Sequence, residues 1–347
     1  MPRRPALWLA ALACLLLSCT PHPDDVTLQG SGATFPAPLY QRWFLEYYQL
    51  SDHHVRIDYL PIGSGAGTRQ FAEGLTDFGA SDAPTDDDVK RIKKEAPGTP
   101  DVLTIPLTAG SVALAYNIPG YPADKDLRLS REVLVKILYG DVTEWNDPAI
   151  TTLNPGVSIP AQRITWVRRS EGSGTTYAFT NHVGAVSKQW KDEKRVGKSI
   201  TWPVGVGGKG NDGVAALIQQ TPGAIGYIEY GYAELSGLPM AAYENKAGKF
   251  IKPGAASGAA ALSGAKLPAH LRLFIPDPPG ADAYPIVTMT WVLVRKEYDD
   301  EKVARTLKAV FKWCLTDGQK ISDELGYVPL PESVVRKALA AVDSIKP

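Results

Sequence analysis

The sequence predicts an α/β fold in which helices cover a mostly parallel sheet. Short strand-like runs alternate with runs whose apolar residues recur at helical spacing, and this alternation continues through most of the chain. Three glycine-rich turns each connect a predicted strand to a predicted helix. The 347 residues are enough for two domains.

The first part of the chain pairs strands with helices. The predicted strands are 26–29, 55–60, 77–80, 102–106 and 111–117, and the predicted helices are 39–50, 68–73, 86–94 and 131–139. Thr85 and Asp88 form a capping pair for the helix at 86–94. Ser130 caps the helix at 131–139. Local sequence therefore indicates where two of these helices begin.

The rest of the chain continues the pattern, with one interruption. We expect strands from Ile164, at 224–227 and at 286–294, and helices from Thr175, at 214–220, 229–235, 301–315 and 333–342. The stretch 245–267 is rich in Gly, Ala, Ser and Lys with little periodicity, which is typical of a surface loop. We expect this stretch to be a long surface excursion, poorly ordered and without a function of its own.

The N-terminus has the pattern of an export signal. Two arginines precede an apolar run at 6–17, which is shorter than the about 20 residues of a membrane-spanning helix and fits the core of a signal peptide. The letters LLSC at 16–19 resemble the cleavage box of bacterial lipoproteins. We expect a lipoprotein signal peptide at 1–18, whose removal leaves a lipidated Cys19. Ordinary cleavage beside an incidental cysteine is the alternative.

Lipidation would attach the mature chain to a lipid bilayer. Residues 19–25 are polar and contain two prolines, as a tether requires, and no second long apolar run follows. We therefore expect an exported protein that is either anchored to the cell membrane or periplasmic. Because Cys14 leaves with the signal and Cys19 carries lipid, only Cys314 remains, and the amphipathic run 303–315 around it predicts a buried apolar role.

The mature chain is close to electrical neutrality. Without Arg3 and Arg4 the 37 basic residues fall to 35, against 37 acidic residues. This balance argues against a nucleic-acid partner. Any affinity for an anion must then come from a local site rather than from the charge of the whole protein.

The three glycine-rich turns have the composition of anion-binding loops. They lie at 30–36, 62–68 and 169–176, and each offers a hydroxyl and free backbone N–H groups at a predicted helix start. Such N–H groups lack partners within the helix and carry partial positive charge. In the first turn we expect Thr34 to cap the helix and Pro36 to occupy its first turn. One such turn alone is more often a tight βα connection, but three together suit one ligand with four oxygens.

Charged side chains predict which anion the turns bind. The third turn combines the guanidinium of Arg169 with the carboxylate of Glu171. A carboxylate repels a fully ionised anion but accepts a hydrogen bond from an anion that still carries a proton. Asp82 ends a short strand and is free for the same role, because Thr85 and Asp88 already form the capping pair beside it.

Two other chemistries lack their residues. A nucleotide-binding P-loop needs Gly-Lys followed by Ser or Thr, which no glycine-rich turn contains. A serine nucleophile needs a base, which is usually a histidine. A metal site needs ligands at a regular spacing, and none of the five histidines has it. His182 alone lies near the third turn, and we expect it to be a surface residue.

Five motifs, in order, resemble those of one family. They are GATFPAP at 32–38, DFGASDAP at 77–84, RRSEGSGT at 168–175, GGKGNDG at 207–213 and PGAIGY at 222–227. From about Leu28 to Val335 the chain resembles the phosphate-binding protein of the phosphate-specific ABC importer. The resemblance implies a periplasmic-binding-protein fold, with two α/β domains, two hinge crossings and the ligand in the interdomain cleft. It also implies inorganic phosphate as the ligand, membrane permease subunits of an ABC importer as partners, no cofactor and no enzymatic activity.

The resemblance implies a role for each matching residue. The phosphate-binding positions are Thr34 and Phe35 in the first loop, Ser64 in the second, Asp82, Arg169 and Glu171, and Ser173, Gly174 and Thr175 in the third. Asp82 matches the carboxylate that accepts the phosphate proton. Sulfate lacks that proton, so we expect roughly a hundredfold discrimination or better. The family usually has Asp at the position of Glu171, so contact of this longer side chain with phosphate stays open.

The domain limits come from the same resemblance. The crossings are expected near 106–110 and 284–287, domain one at 26–107 plus 287–347, and domain two at 108–286. We expect a monomer. Two alternatives stay open: an exported phosphoryl-transfer enzyme, and a surface lipoprotein whose work is contact with another protein.

Overall fold

The computed structural model describes residues 22, 24–95 and 101–347. The predicted signal peptide, the lipidation site Cys19 and most of the predicted tether lie outside this part of the chain. Within the described residues, no helix is both long enough and apolar enough to cross a membrane.

Strands and helices alternate as the sequence predicts. The strands are β1 (Val26–Gly32), β2 (Val55–Leu60), β3 (Phe78–Ser81), β4 (Val102–Asn117), β5 (Arg128–Leu129), β6 (Thr165–Arg169), β7 (Val206–Gly208), β8 (Ala224–Glu229), β9 (Ala242–Glu244), β10 (Phe250–Ile251) and β11 (Val287–Arg295). The helices are α1 (Ala37–Leu50), α2 (Ser64–Ala72), α3 (Asp86–Glu95), α4 (Arg131–Tyr139), α5 (Pro148–Thr151), α6 (Gly174–Val186), α7 (Lys188–Asp192), α8 (Gly210–Gln220), α9 (Tyr230–Leu235), α10 (Ala255–Leu262), α11 (Glu301–Leu315), α12 (Gln319–Ser322) and α13 (Glu332–Asp343).

The larger sheet has eight strands in the order β2-β1-β3-β11-β4-β8-β6-β7. Pairing is parallel between β1 and its neighbours β2 and β3, and between β6 and its neighbours β7 and β8. Pairing is antiparallel where β11 and β4 join these two parallel groups. The fold is the predicted α/β architecture with one parallel group in each of two lobes.

Strand β4 runs through both lobes. Its residues Val102–Ser111 pair with β11, and Val112–Asn117 pair with β8. The sequence predicted two strands with a break between them, and that break is wrong. The pairing of β4 with β11 has a register shift between Thr290 and Trp291 of β11. Trp291 lies opposite Pro106, which has no N–H to donate to the neighbouring strand.

We call the elements β1–β3, β11, α1–α3 and α11–α13 lobe one, and the elements β6–β8 and α4–α9 lobe two. The change of pairing partner within β4 lies between the two lobes. The residue limits of the two domains stay as predicted from the sequence.

Helix starts agree with the sequence at two of three places. The Ser130 hydroxyl accepts a hydrogen bond from the Val133 N–H at 3.2 Å. The Thr85 N–H donates to Asp88 and the Asp88 N–H donates back to the Thr85 hydroxyl, which is the predicted capping pair. The prediction that Thr34 caps α1 is wrong, because Pro36 is the N-cap residue and no side chain caps this helix.

The stretch 245–267 is not the predicted disordered excursion. It contains β10 and α10, and Gly258 of α10 packs so closely that a Cβ there would lie 2.6 Å from Val328 Cγ2. Its small residues therefore allow close helix packing rather than disorder. Asn245 is 1% exposed, and its amide donates to three carbonyl oxygens between 280 and 283.

Two buried side chains test further predictions. Cys314 is a free, fully buried cysteine, as predicted. His182 is 1% exposed and its Nε2 lies 3.0 Å from the Tyr243 hydroxyl, so the prediction of a surface position is wrong. Most residues of helix α6 are buried, and burial lowers the pKa of His182 to about 3.

Candidate functional site

The three glycine-rich turns lie against each other at the cleft between the lobes. The first follows β1 and the second opens α2, both in lobe one, and the third joins β6 to α6 in lobe two. The Gly65 N–H donates to the Gly172 carbonyl oxygen at 2.9 Å, across the two lobes. The turns follow the carboxyl ends of parallel strands, which is where ligands bind in open α/β sheets.

Ser64 connects two other sequence-predicted site residues. Its side chain is fully buried, and its Oγ accepts hydrogen bonds from the Asp82 N–H at 3.2 Å and the Gly174 N–H at 3.1 Å. A hydroxyl has two acceptor lone pairs and one donor hydrogen. Because both acceptor positions are taken, the Ser64 hydroxyl can only donate to a further group, and the Asp82 carboxylate beside it is one such acceptor.

The approach of the lobes requires a glycine at position 174. A Cβ at Gly174 would lie 2.5 Å from Asp82 Cβ and 2.7 Å from Asp82 Oδ2. Gly174 is also the first residue of α6, whose start Ser173 caps by accepting from the Thr176 N–H at 3.2 Å. The start of α6, where the Gly174 and Thr176 N–H groups donate to serine hydroxyls, is therefore placed directly beside a buried carboxylate.

Asp82 is 1% exposed. Its Oδ1 accepts a hydrogen bond from the Thr290 hydroxyl at 2.7 Å. Burial raises the pKa of Asp82 to about 7. Hydrogen bonds from Thr290 and Ser64 and the positive charge of Arg169 act in the opposite direction. A carboxyl group with this pKa can act as acceptor or, once protonated, as donor near neutral pH.

At the end of β6 the buried Arg169 forms an ion pair with the half-buried Glu171. The Arg169 Nε–H donates to Glu171 Oε1 at 2.8 Å, and Nη2 also contacts that oxygen. Burial by itself raises the pKa of Glu171, but the charge and hydrogen bonds of Arg169 outweigh it and the pKa is lowered. The Gly210 N–H donates to the same Oε1 at 3.1 Å. Glu171 is thus held by Arg169 and by the start of α8.

Arg169 is also fixed along its backbone and at its other nitrogen. Its backbone N–H donates to the Tyr227 hydroxyl at 3.0 Å, and Nη1 lies 3.4 Å from the Thr175 hydroxyl. The side chain is 1% exposed. The guanidinium is therefore oriented before any ligand arrives, which reduces the entropy lost on binding.

The first turn is held from both sides of the cleft. The Asn211 amide donates to Thr34 Oγ1 at 2.9 Å, and the Tyr232 hydroxyl donates to the Thr34 carbonyl at 2.8 Å. Phe35 is fully buried, and its carbonyl accepts from the Tyr327 hydroxyl at 2.7 Å. The structure thus brings all nine predicted ligand-binding residues to the same interlobe region.

Three residues that the sequence did not single out support this region. Thr290 lies in an apolar strand and gives no sequence signal. Asn211 belongs to the GGKGNDG motif, which had no assigned role. Glu229 ends β8, is fully buried, and accepts from two N–H groups at the start of α9; burial raises its pKa to about 8.

An ion pair crosses the rim of the cleft. Lys198 of lobe two donates to both carboxylate oxygens of Asp88 of lobe one, at 2.7 and 2.6 Å. Burial opposes the ionised form of Asp88, but the charge of Lys198 prevails and lowers the pKa of Asp88. The pair stabilises the arrangement in which the lobes are in contact.

Three potential metal ligands meet at the start of β1. The rings of His22 and His54 stack at 4.2 Å, and Asp25 Oδ1 lies 2.9 Å from His54 Nδ1. Ring nitrogens bind metals in the plane of the ring, so stacked rings do not converge on one ion. The cluster lies at the opposite end of β1 from Thr34 and is separate from the cleft.

The arrangement is suited to binding a small protonated oxyanion. Hydroxyls, a helix start and a guanidinium are possible donors there, and the Asp82 carboxylate is a possible acceptor. Sequence comparison finds that a model of the PBP superfamily domain matches residues 20–317. The phosphate-binding protein PstS of Pasteurella multocida is 37% identical over 316 residues, which cover 90% of this chain and 89% of that protein. PstS of Methanocaldococcus jannaschii is 40% identical over 346 residues, covering 93% and 87%.

The fold also resembles that of solved structures. A high-affinity periplasmic phosphate-binding protein, PfluDING, determined with bound phosphate at pH 8.5, superimposes with a TM-score of 0.73 at 19% identity. The match covers 91% of this chain and 93% of that chain. At this identity the likeness concerns the fold alone.

Proposed function

This chain belongs to the PstS phosphate-binding proteins of the PBP superfamily, and from that premise we propose that it binds inorganic phosphate outside the cytoplasm and delivers it to the membrane subunits of an ABC importer. It is a binding protein rather than an enzyme, as its relatives are. The observation that carries the proposal is the Ser64 hydroxyl, which joins the N–H groups of Asp82 and Gly174 across the cleft.

The donors and the acceptor of the cleft match the chemistry of phosphate. Near neutral pH phosphate carries one or two protons, whereas sulfate carries none. Thr34, Ser64 and the start of α6 donate hydrogen bonds to phosphate oxygens, and Arg169 supplies a fixed positive charge. Asp82 accepts a hydrogen bond from the protonated phosphate oxygen. Sulfate would offer no hydrogen to the buried Asp82 carboxylate, of which only Oδ1 is held by Thr290, and would place an anion beside its negative charge. Buried polar groups that a ligand leaves without a partner exclude such analogues.

In this proposal Glu171 acts through Arg169. One of its oxygens already bonds the guanidinium and the Gly210 N–H, so Glu171 orients Arg169 and limits the net positive charge of the site. The site then discriminates by hydrogen bonding more than by charge.

Calorimetry tests the proposed ligand. The chain from Thr20 onward is purified, unfolded and refolded to remove carried phosphate, and titrated with phosphate and with sulfate at pH 8. We expect tight one-to-one phosphate binding and no detectable heat with sulfate. Equal binding of sulfate would contradict the role of Asp82, and no binding of either anion would overturn the proposed function.

We further propose that Cys19 anchors a monomeric mature protein to a membrane. The support is the signal-like run at 6–17 followed by the LLSC box at 16–19. In a detergent-partition assay of the expressed full-length protein, Cys19→Ser is expected to move the protein from the detergent to the aqueous phase. Cys314→Ser is the control, because Cys314 is buried in lobe one. A Cys19→Ser protein that stays in the detergent phase would exclude lipidation at this residue.

A further inference from the structure

Asn211 touches Thr34 from the opposite lobe, and this contact determines what the Thr34 hydroxyl can do. Asn211 is fully buried at the start of α8. Its Nδ2 donates to Thr34 Oγ1 at 2.9 Å, and its Oδ1 accepts from the Glu229 N–H at 3.1 Å. A backbone N–H can only donate, so the Glu229 contact requires the amide oxygen on that side and the amide nitrogen toward Thr34.

The orientation of the amide has a consequence for Thr34. Its Oγ1 accepts from Asn211 and therefore cannot donate to it. The single hydroxyl hydrogen of Thr34 is then directed away from Asn211, and Thr34 is only 4% exposed. We propose that Asn211 is a positioning residue that commits the Thr34 hydroxyl to donate to the bound anion, and that it does so only when the two lobes are in contact. This inference rests on the proposed function, because it names which residue prepares one of the phosphate donors.

The same loop supports the other side of the site. The Gly210 N–H donates to Glu171 Oε1, and Gly210 has a φ of +74°, which favours glycine. Two adjacent residues of the GGKGNDG motif thus reach the Arg169–Glu171 pair and Thr34. Closure of the lobes completes the Thr34 contact, so this segment couples closure to the formation of a ligand donor.

A double-mutant cycle tests the inference. In a wild-type background, Asn211→Ala is expected to weaken phosphate binding about tenfold, because Thr34 loses the partner that orients its hydroxyl. Thr34→Val keeps the shape of the side chain but removes the hydroxyl. In the Thr34→Val background, Asn211→Ala is expected to weaken phosphate binding less than twofold, since there is no hydroxyl left to orient.

Asn245→Ala is the matched control, because Asn245 is as buried as Asn211 but bonds only carbonyl oxygens near 280–283 and a local turn. It is expected to lower the melting temperature and leave phosphate affinity within twofold of wild type. Equal losses for Asn211→Ala with and without the Thr34 hydroxyl would overturn the inference, as would unchanged affinity of Asn211→Ala. A wild-type protein that does not bind phosphate would instead overturn the proposed function.

Asn211→Asp keeps the inference testable where the alanine variant does not fold. The carboxylate still accepts from the Glu229 N–H but cannot donate to Thr34. Relative to wild type at the same pH, the loss of phosphate affinity is expected to be larger at pH 8 than at pH 5.5, because a protonated Asp regains a donor. A loss that is the same at both pH values contradicts the role of the donated hydrogen bond.

Discussion

Replacing Arg169 with alanine is expected to weaken phosphate binding about a hundredfold or more. The guanidinium belongs to the third turn, its charge acts on Asp82 across the cleft, and its side chain is 1% exposed. Its removal leaves the half-buried Glu171 carboxylate without its partner, next to an incoming anion. Truncating one partner of a buried, hydrogen-bonded charge pair costs about 2–5 kcal/mol. Isothermal titration with phosphate measures the loss directly.

Arg168→Ala separates the role of this site from that of overall charge. Arg168 precedes Arg169 in β6, so its side chain points to the opposite face of the sheet, where its Nη1 donates to the Arg169 carbonyl. Its removal changes the net charge by the same amount and is expected to change phosphate affinity less than threefold. Arg169→Lys keeps the charge but not the planar fork and should fall between the two alanine variants. Equal losses for both alanine variants would mean that the general field, not the site, holds the anion.

Replacing Asp82 with asparagine is expected to reduce the preference for phosphate over sulfate about tenfold or more. The aspartate side chain can only accept when it is ionised, and one of its oxygens already accepts from Thr290. An asparagine amide can donate to a sulfate oxygen, which removes the unpaired acceptor that excludes sulfate. The measurement is the ratio of the two dissociation constants in the wild type and the variant. An unchanged ratio would contradict the selective role of Asp82.

The raised pKa of Asp82 adds a pH dependence to this prediction. Burial raises the pKa of Asp82 to about 7. As pH falls through that value the carboxyl gains a proton and becomes a donor, so wild-type sulfate binding is expected to strengthen between pH 8 and pH 5.5. The Asp82→Asn variant lacks this titration, so its sulfate binding should depend less on pH than that of the wild type; the buried Glu229, whose pKa is raised to about 8, accounts for the dependence that is left.

Asp77→Asn is the control for Asp82, because Asp77 lies just before the same strand and bonds the Gln29 N–H at 2.7 Å, at the far end of β3. It should leave both the phosphate-to-sulfate ratio and its pH dependence as in wild type. If Asp77→Asn shifts the ratio as much as Asp82→Asn does, the selectivity comes from lobe stability rather than from a carboxylate in the cleft.

Much of the fold could be predicted from the sequence because it depends on local patterns. The cap of Ser130 and the pair of Thr85 and Asp88 are hydrogen bonds between residues three positions apart. Such interactions can be recognised from the sequence alone. Two of the predictions that failed concern the surroundings of residues in the folded protein. His182 looked polar enough for the surface, and the Gly- and Ala-rich stretch at 245–267 looked loose, yet both are packed against residues distant in sequence.

The candidate site divides in the same way. Thr34, Ser64, Asp82 and Arg169 lie in motifs where a strand, a glycine-rich turn and a helix start follow each other, so the sequence by itself indicated donors and carboxylates for an oxyanion. Their partners were not predictable. Thr290 is 208 residues from Asp82, and Asn211 is 177 residues from Thr34.

The sequence by itself determined the α/β class, the three glycine-rich turns and the family whose motifs they share. Only the tertiary structure decided that Ser64 joins both lobes, that Asp82 is buried deeply enough to raise its pKa, and that Asn211 takes the acceptor side of the Thr34 hydroxyl. The physical reason is that turns and helix starts depend on neighbouring residues. Burial and hydrogen bonding between lobes depend on how strands far apart in the chain pair in one sheet.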